Sequence, residues 1–403
     1  MRHIKIAHIT TVDISLHYLL LNQLLSIRQA GYQVVGISSP GPEIPVIEAA
    51  GIRHIPVSMT RNFTPLADLV SLFRLYRVMR RERFDIVHTH NPKPGLLGQL
   101  AARMARVPIV VNTLHGFYFH DYMHPLWRRF YITMEKIAAH CSDVILSQNS
   151  EDLETAIEEK ICRPEKIMRL GNGIDLTRFD PDHISFADMQ QKRVEIGLAK
   201  DVQVVGFVGR LAGKRKGFLD FLAAGQRIVK QAPNVRFLIV GDADYSKPDA
   251  VQPAAAKNFG IEDHCIFLGQ RPNQELPVLY ALMDVLVLPS LFEGIPRAVM
   301  EASAMGVPAV ATNVKGNREA IEHDSNGLLV PLGDIRSLAD AVAGLLTNRE
   351  KARYMGQAGY DIARERFDER LVFETVKAQY AHLLQEKGLS MAQLRLLSTE
   401  VSL

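Results

Sequence analysis

Short runs of consecutive apolar residues alternate along this chain with longer stretches in which apolar positions recur every three or four residues. KIAHIT (5–10), YQVVGIS (32–38), FDIVHTH (84–90), PIVVNTL (108–114) and DVILSQ (143–148) are of the first kind. A run that is apolar at successive positions buries both faces of a strand, the habit of a parallel sheet. PLADLVSLFRLYRVMRRERF (65–84) is of the second kind and predicts an amphipathic helix. The rhythm restarts with VQVVGFVGR (202–210), VRFLIVGD (235–242), CIFLGQ (265–270), DVLVLPS (284–290) and PAVATN (308–313). This alternation predicts an α/β protein of two Rossmann-like, doubly wound domains facing a cleft, with ligands at the carboxyl ends of the strands. The segment GNGIDLTRFDPDH (171–183), rich in Gly, Asp and Pro, reads as the linker, giving domains over 1–175 and 176–370. LVFETVKAQYAHLL (371–384) has helical spacing and predicts a last helix, about 371–386, that crosses back to the first domain. The tail KGLSMAQLRLLSTEVSL carries too little pattern to assign.

A length of 403 residues suits two or three domains, and 47% apolar with 23% charged residues is the ordinary globular range. Cys141, Cys162 and Cys265 are scattered and odd in number, which suits a reducing compartment and offers no metal quartet. Every apolar run near the start is broken by His, Thr, Asp or Asn, unlike a secretory signal, and no window holds the ~18 apolar residues of a spanning helix. The expected location is cytoplasmic, at most peripheral on the inner face of a membrane.

Net charge is only +3, yet residues 53–136 hold thirteen Lys and Arg, Arg61 among them, against five acids. The same region contains Phe117, Tyr118, Phe119, Tyr122, Trp127, Phe130 and Tyr131. Cations beside aromatics suit an anionic membrane surface; a solvated basic helix beside a buried aromatic cluster is the plainer alternative. Nucleic acid is disfavoured, because no recognition motif accompanies the charge.

No glycine-rich dinucleotide fingerprint and no phosphate-loop motif is present. His120 and His124 have helical spacing but lack the glutamate and third ligand of a zinc site. Asp242 and Asp244, after a strand, read as turn formers rather than as a metal site. No metal and no cofactor is expected. The densest chemistry lies in PSLFEGIPRAVMEA (289–302). A strand there runs through a short loop into a helix with Pro296 at its first turn, so backbone N–H groups and the helix dipole favour a phosphate. Gly294 allows close approach to a ligand. Glu293 and Glu301 lie at most ~12 Å apart along a helix, too far for a glycosidase pair but suited to the two ends of one elongated ligand. Carboxylates accept paired hydrogen bonds from sugar or ribose diols. In VGRLAGKRKGF (208–218), Arg210 and Lys216 can clamp a diphosphate, or form a basic solvated turn. His115, in NTLHGF, follows a buried strand and either bonds a sugar hydroxyl or caps the strand.

The ordered set HG, NGID, GRL…KG, EGIPRAVMEA, AMGVPAVAT, KGNREAI and NGLLVPLGD resembles the retaining GT-B glycosyltransferases of the group 1, or family 4, type with its Glu-x7-Glu motif. The HGFYFHD and KGNREAI forms are most similar to the branch that builds capsule, O-antigen or lipid-linked glycans. The resemblance implies a GT-B fold and transfer of a hexosyl or N-acetylhexosaminyl group from a nucleotide diphosphate-sugar, a UDP-sugar first, without a metal. The acceptor it implies is a hydroxyl of a lipid-linked saccharide. It further implies that Arg210 and Lys216 bind the diphosphate and Glu301 the ribose. Glu293, with the backbone of Gly294, Ile295 and Pro296, would hold the transferred sugar, and His115 would sit near its hydroxyls. Leu268 to Arg271 match the loop that faces the nucleobase. In the family five steps usually separate the Arg from the Lys; here there are six, which lets Arg215 share the role. The glycine pair common after the first strand is replaced by TTVDISLHY. A GT-B epimerase and a non-catalytic nucleotide-sugar-binding subunit are the rival readings.

Overall fold

The computed structural model describes residues 3–60, 63–90, 92–245 and 247–389; Arg61 and the tail from Ser390 lie outside them. Two compact units result, one of Met1–Gly171 together with the stretch that begins at Arg370, the other of Asn172–Glu369.

Among the described residues, each unit has one parallel sheet. The first holds seven strands: β1 (Lys5–Val12), β2 (Gln33–Ser39), β3 (Arg53–Pro56), β4 (Ile86–His90), β5 (Ile109–Leu114), β6 (Val144–Ser147) and β7 (Ile167–Arg169). Their order across the sheet is β3-β2-β1-β4-β5-β6-β7. The second sheet holds β8 (Gln203–Val208), β9 (Val235–Val240), β10 (Cys265–Gly269), β11 (Val285–Leu288), β12 (Ala309–Thr312) and β13 (Gly327–Val330), ordered β10-β9-β8-β11-β12-β13. Both follow the doubly wound order. Chain direction across the sheet reverses between β1 and β4, and again between β8 and β11, and crevices open at the carboxyl ends of such strand pairs.

Ten of the strands coincide with the apolar runs. β3, β7 and β13 do not, because they are outer strands of three or four residues with only partial burial, too short to show a period. Successive residues of β1 serve opposite cores: Ile6 packs with Ile86, Ile109 and Val111, whereas Ala7 and Ile9 pack with Val35, Ile37 and Val87. The last helix, Glu369–Glu386, adds Val376, Tyr380, Leu383 and Leu384 to the first of these cores.

The segment read as a linker is mostly structural. Ile174, Leu176 and Phe179 are buried in the core of the second unit, so the change of unit falls between Gly171 and Asn172. Ile174 bridges to Asp368, and a side chain at Gly173 would meet the Glu369 backbone at 2.5 Å, so the two chain crossings lie side by side. None of the described helices is long and apolar enough to cross a membrane.

Candidate functional site

The loops that leave β8 and β11 flank the reversal point of the second sheet, and they are locked together. Gly217, at φ 64°, lies so close to Pro289 that a Cβ would sit 1.9 Å from its carbonyl oxygen. Leu291 N–H donates to the Arg215 carbonyl at 3.1 Å. Across this junction Lys216 Nζ meets Glu293 Oε1 at 2.6 Å, with both side chains only partly exposed. Arg215 does not join them; its guanidinium lies over the Phe292 ring, 4.9 Å from the centroid. Arg210 is held loosely, 3.6 Å from Asp244.

The loop from Glu293 to Pro296 is braced from two sides. Gly316, at φ 78°, presses against it so closely that a Cβ would fall 1.7 Å from the Gly294 carbonyl oxygen. Asn172 Nδ2 donates to the Ile295 carbonyl at 3.2 Å. Ile295 itself is buried in the core. Pro296 is the N-cap of the helix Arg297–Ala304, one position before the first turn in which the sequence reading put it. Its carbonyl already accepts from Val299 and Met300, which is the N-cap role. Glu301, one turn inside, is buried, accepts from the Tyr280 hydroxyl at 2.9 Å and pairs with Arg297 at 3.5 Å. Burial pushes its carboxyl above the usual range, against the pull of Arg297 and Tyr280. Arg271 stands apart from these, bonded to the Leu268 carbonyl at 3.0 Å on the loop after β10. That loop is tied to β9 by Gly241 N–H donating to Gly269 O at 2.8 Å and by Gln270 N–H on Asp242.

In the first unit His115 follows β5, partly exposed, in a small hollow whose walls include Gly95, Asn112, Thr113, Gly116 and Glu135. Burial pulls its imidazole down to about 4, against a hydrogen bond with Gln148 that works upward. Burial, and secondarily Asp152, raises the Glu135 carboxyl to about 7. Behind His115 lie His8, His88 and His90, all buried and all neutral because burial opposes their charged form. His120 and His124 do not share a helix: a turn separates them, and His124 caps the helix Pro125–Cys141 through Leu126 N–H.

The helix Pro65–Glu82 is inverted over its first turns. Asp68 and Ser71 face inward, while Leu66, Leu69, Val70 and Phe73 face solvent, Leu66 at 84% exposure. Asp68 pairs with Lys93, and Ser71 bonds the Ser58 carbonyl. Phe63, just before this helix, touches Phe130 at 5.4 Å and so joins the apolar stripe to Leu126 and Trp127, also exposed. Part of the basic charge nearby is already matched: Arg53 grips Glu82 with two bonds, Arg103 pairs with Asp143 and Arg128 with Glu159.

The sequence pattern of the family described as glycosyl transferases group 1 matches residues 202–348, and that of glycosyltransferase family 4 matches residues 19–178. A UDP-Gal:alpha-D-GlcNAc-diphosphoundecaprenol alpha-1,3-galactosyltransferase of Escherichia coli is 35% identical over 287 residues, 71% of this chain and 72% of that protein. The chain belongs to the group 1, family 4 glycosyltransferases. The capsular polysaccharide biosynthesis glycosyltransferase CapM of Staphylococcus aureus is 28% identical over 96% of this chain and 99% of its own length. Among solved structures, Anabaena Alr3699/HepE in complex with UDP-glucose superposes with a TM-score of 0.79 at 21% identity, over 94% of this chain and 100% of that one. Sucrose-phosphate synthase of Thermosynechococcus elongatus gives 0.81 at 21%, over 96% and 100%. These likenesses place the fold in the GT-B class.

Several supports of the candidate site carry no signal that the sequence alone reveals. Asn172 sits in NGID and Gly316 in KGN, segments matched as motifs without a task; each holds the Glu293 loop. Tyr280, Glu135 and the three buried histidines lie in ordinary-looking strands and helices. HTH (88–90) was the one visible signal, since two imidazoles inside an apolar strand need partners.

Proposed function

We propose that this glycosyltransferase moves a hexosyl or N-acetylhexosaminyl group from a UDP-sugar to a hydroxyl of a lipid-diphosphate-linked saccharide, with retention, in cell-surface polysaccharide synthesis. The observation that carries the reading is the Lys216–Glu293 pair at the reversal point of the second sheet, between two loops clamped backbone to backbone. Support for donor and acceptor comes from the E. coli relative, whose name specifies UDP-Gal and GlcNAc-diphosphoundecaprenol. Lys216, Arg210 and the N-terminus of the helix Arg297–Ala304 supply positive charge for the departing diphosphate, a task that needs no metal. Arg215, stacked on Phe292, borders this charge. Buried Glu301 is set to accept from the ribose hydroxyls, Glu293 and the backbone of Gly294, Ile295 and Pro296 from the sugar, and Arg271 to border the base.

The bond from the anomeric carbon to the diphosphate oxygen breaks, and its electrons leave with UDP. The acceptor oxygen bonds to the same face of the sugar, and its proton passes to the departing phosphate. His115 orients a sugar hydroxyl. The lipid of the acceptor is met by the solvent-facing apolar stripe of the helix Pro65–Glu82 with Phe63 and Trp127, beside Arg74, Arg77 and Arg80, on an anionic membrane facing the cytoplasm. A core-facing Asp68 under a solvent-facing Leu66 and Leu69 is the reverse of a soluble helix, and this favours lipid over water as the medium.

The test is a panel of UDP-sugars scored for UDP release with GlcNAc-diphosphoundecaprenol as acceptor. Acceptor-dependent release, an α-linked product and no loss on chelation are expected. Release from none of the donors would overturn the reading, and a sugar altered without acceptor would establish the epimerase instead.

A further inference from the structure

The buried histidines of the first unit form a continuous line of hydrogen bonds that ends on His115. Thr113 Oγ1 lies 2.7 Å from His88 Nε2, and His88 Nδ1 lies 2.5 Å from the Tyr380 hydroxyl. The Tyr380 hydroxyl is 3.2 Å from His8 Nε2, and His8 Nδ1 is 2.9 Å from His90 Nε2. His90 Nδ1 then reaches His115 Nε2 at 3.1 Å. Thr113, His88, Tyr380, His8 and His90 are each no more than 3% exposed. The five residues come from β1, β4, β5 and the returning C-terminal helix.

Every ring nitrogen of His8, His88 and His90 has a partner in this line. Each neutral imidazole has one donor and one acceptor, and Tyr380 has one O–H, so every donor in the line finds an acceptor only when the bonds all point the same way. In one sense Thr113 O–H donates to His88 Nε2, and His88 Nδ1–H donates to the Tyr380 oxygen. Tyr380 O–H then donates to His8 Nε2, His8 Nδ1–H to His90 Nε2, and His90 Nδ1–H to His115 Nε2. The proton of His115 is then on Nδ1. In the opposite sense each bond reverses, and His115 donates from Nε2. A mixed arrangement would set two lone pairs or two N–H groups against each other, or, where both His88 and His8 donate to the Tyr380 oxygen, leave the Tyr380 O–H without an acceptor in the line; each costs an unmade hydrogen bond in a dry interior. The state of His115 is therefore tied to that of a phenol on the other end of the chain.

We infer that Tyr380 is a positioning residue: through the His88–Tyr380–His8–His90 line it selects the tautomer and ring orientation with which His115 meets its ligand. The line leaves no bare imidazole nitrogen for a metal, although His8, His88 and His90 bring ligand atoms within 4.8 Å of one another. The catalytic consequence rests on the role proposed for His115; the tautomer itself does not.

The experiment is long-range 1H–15N spectroscopy of the imidazoles, with His115→Asn to identify the His115 signals, on the full chain. The wild type should show His115 as one neutral tautomer. Tyr380→Phe removes a single oxygen from the middle of the line, and Thr113→Val removes the hydroxyl at its far end with little change of volume. In each, the His115 nitrogen shifts should move or split, turnover should fall about 3- to 10-fold, and UDP binding should stay within about 2-fold of wild type. Thr113→Ser should restore the wild-type spectrum. His115 shifts that are unchanged in Thr113→Val and in folded Tyr380→Phe would overturn the inference, and so would stoichiometric zinc on the three histidines. Moved shifts without any transferase activity in the wild type would leave the line standing and count against the proposed reaction alone.

Discussion

The two sheets have the same strand order and reverse at the same place, yet the chemistry at the two reversal points is opposite. In the second unit the loops after β8 and β11 bring Lys216, Arg210 and Glu293 to a partly exposed edge, where Lys216 and Glu293 meet. In the first unit the strands that flank the reversal, β1 and β4, bury His8, His88 and His90, and burial has stripped those groups of charge. Topology decides where a crevice forms; side-chain type and solvent access decide what it can hold. A charged edge suits a diphosphate, whereas a neutral, fully bonded edge suits hydroxyl groups, which need oriented donors and acceptors rather than net charge.

Acid should separate the two units most sharply. Unfolded histidines bind protons below about pH 6.5, while His8 in the folded chain does so only near 3. The unfolded state thus takes up more protons, and stability is lost as pH falls through 6.5. Three fully neutral histidines would cost on the order of 4 kcal/mol per pH unit well below that point. Trp127, the single tryptophan, belongs to the first unit and reports its unfolding. Melts from pH 7 to 5 should show the Trp127 fluorescence transition ahead of the far-UV circular dichroism transition of the whole chain, and coincident transitions would break the contrast.

Next in size is the charged edge. Lys216→Ala and Glu293→Ala should each lower turnover about 10²- to 10³-fold, worth about 3–4 kcal/mol of barrier, with circular dichroism unchanged. Near-wild-type rates at saturating donor would remove both from the site. For the inverted helix, Leu66→Asp with Phe73→Asp should weaken binding to anionic vesicles by roughly 2 kcal/mol while leaving UDP affinity alone. Vesicle binding that ignores these changes would assign the stripe to another partner. The smallest effect concerns Glu135. Its folded carboxyl titrates near 7 against an ordinary value of 4.5, so the folded state loses stability as pH rises between them. Glu135→Gln should therefore raise stability at pH 8 by about 1–2 kcal/mol, less than the full shift because the side chain is partly exposed. A melting temperature that does not rise would show that the carboxyl is not desolvated.

Which elements exist was legible in the amino-acid order, because strands buried on both faces write themselves as unbroken apolar runs. So was the clustering of charge in the second unit, since its charged residues are crowded into two short loops that follow strands. EGIPRAVMEA and GRLAGKRKG can be read as candidate sites because the groups proposed to act together are also neighbours in sequence.

Other features existed only once the chain had folded. Lys216 rather than Arg215 meets Glu293, because Gly217 packs against Pro289 and turns one side chain toward the partner loop and the other onto Phe292. Asn172 and Gly316 support the Glu293 loop from 122 and 22 positions away from Gly294. The line from Tyr380 to His115 joins residues 265 positions apart, and no local pattern announces a bond of that reach. Apolar periodicity is local and survives in the one-dimensional text, whereas hydrogen-bond direction and pairing are set by which strands lie side by side, and only the sheet decides that.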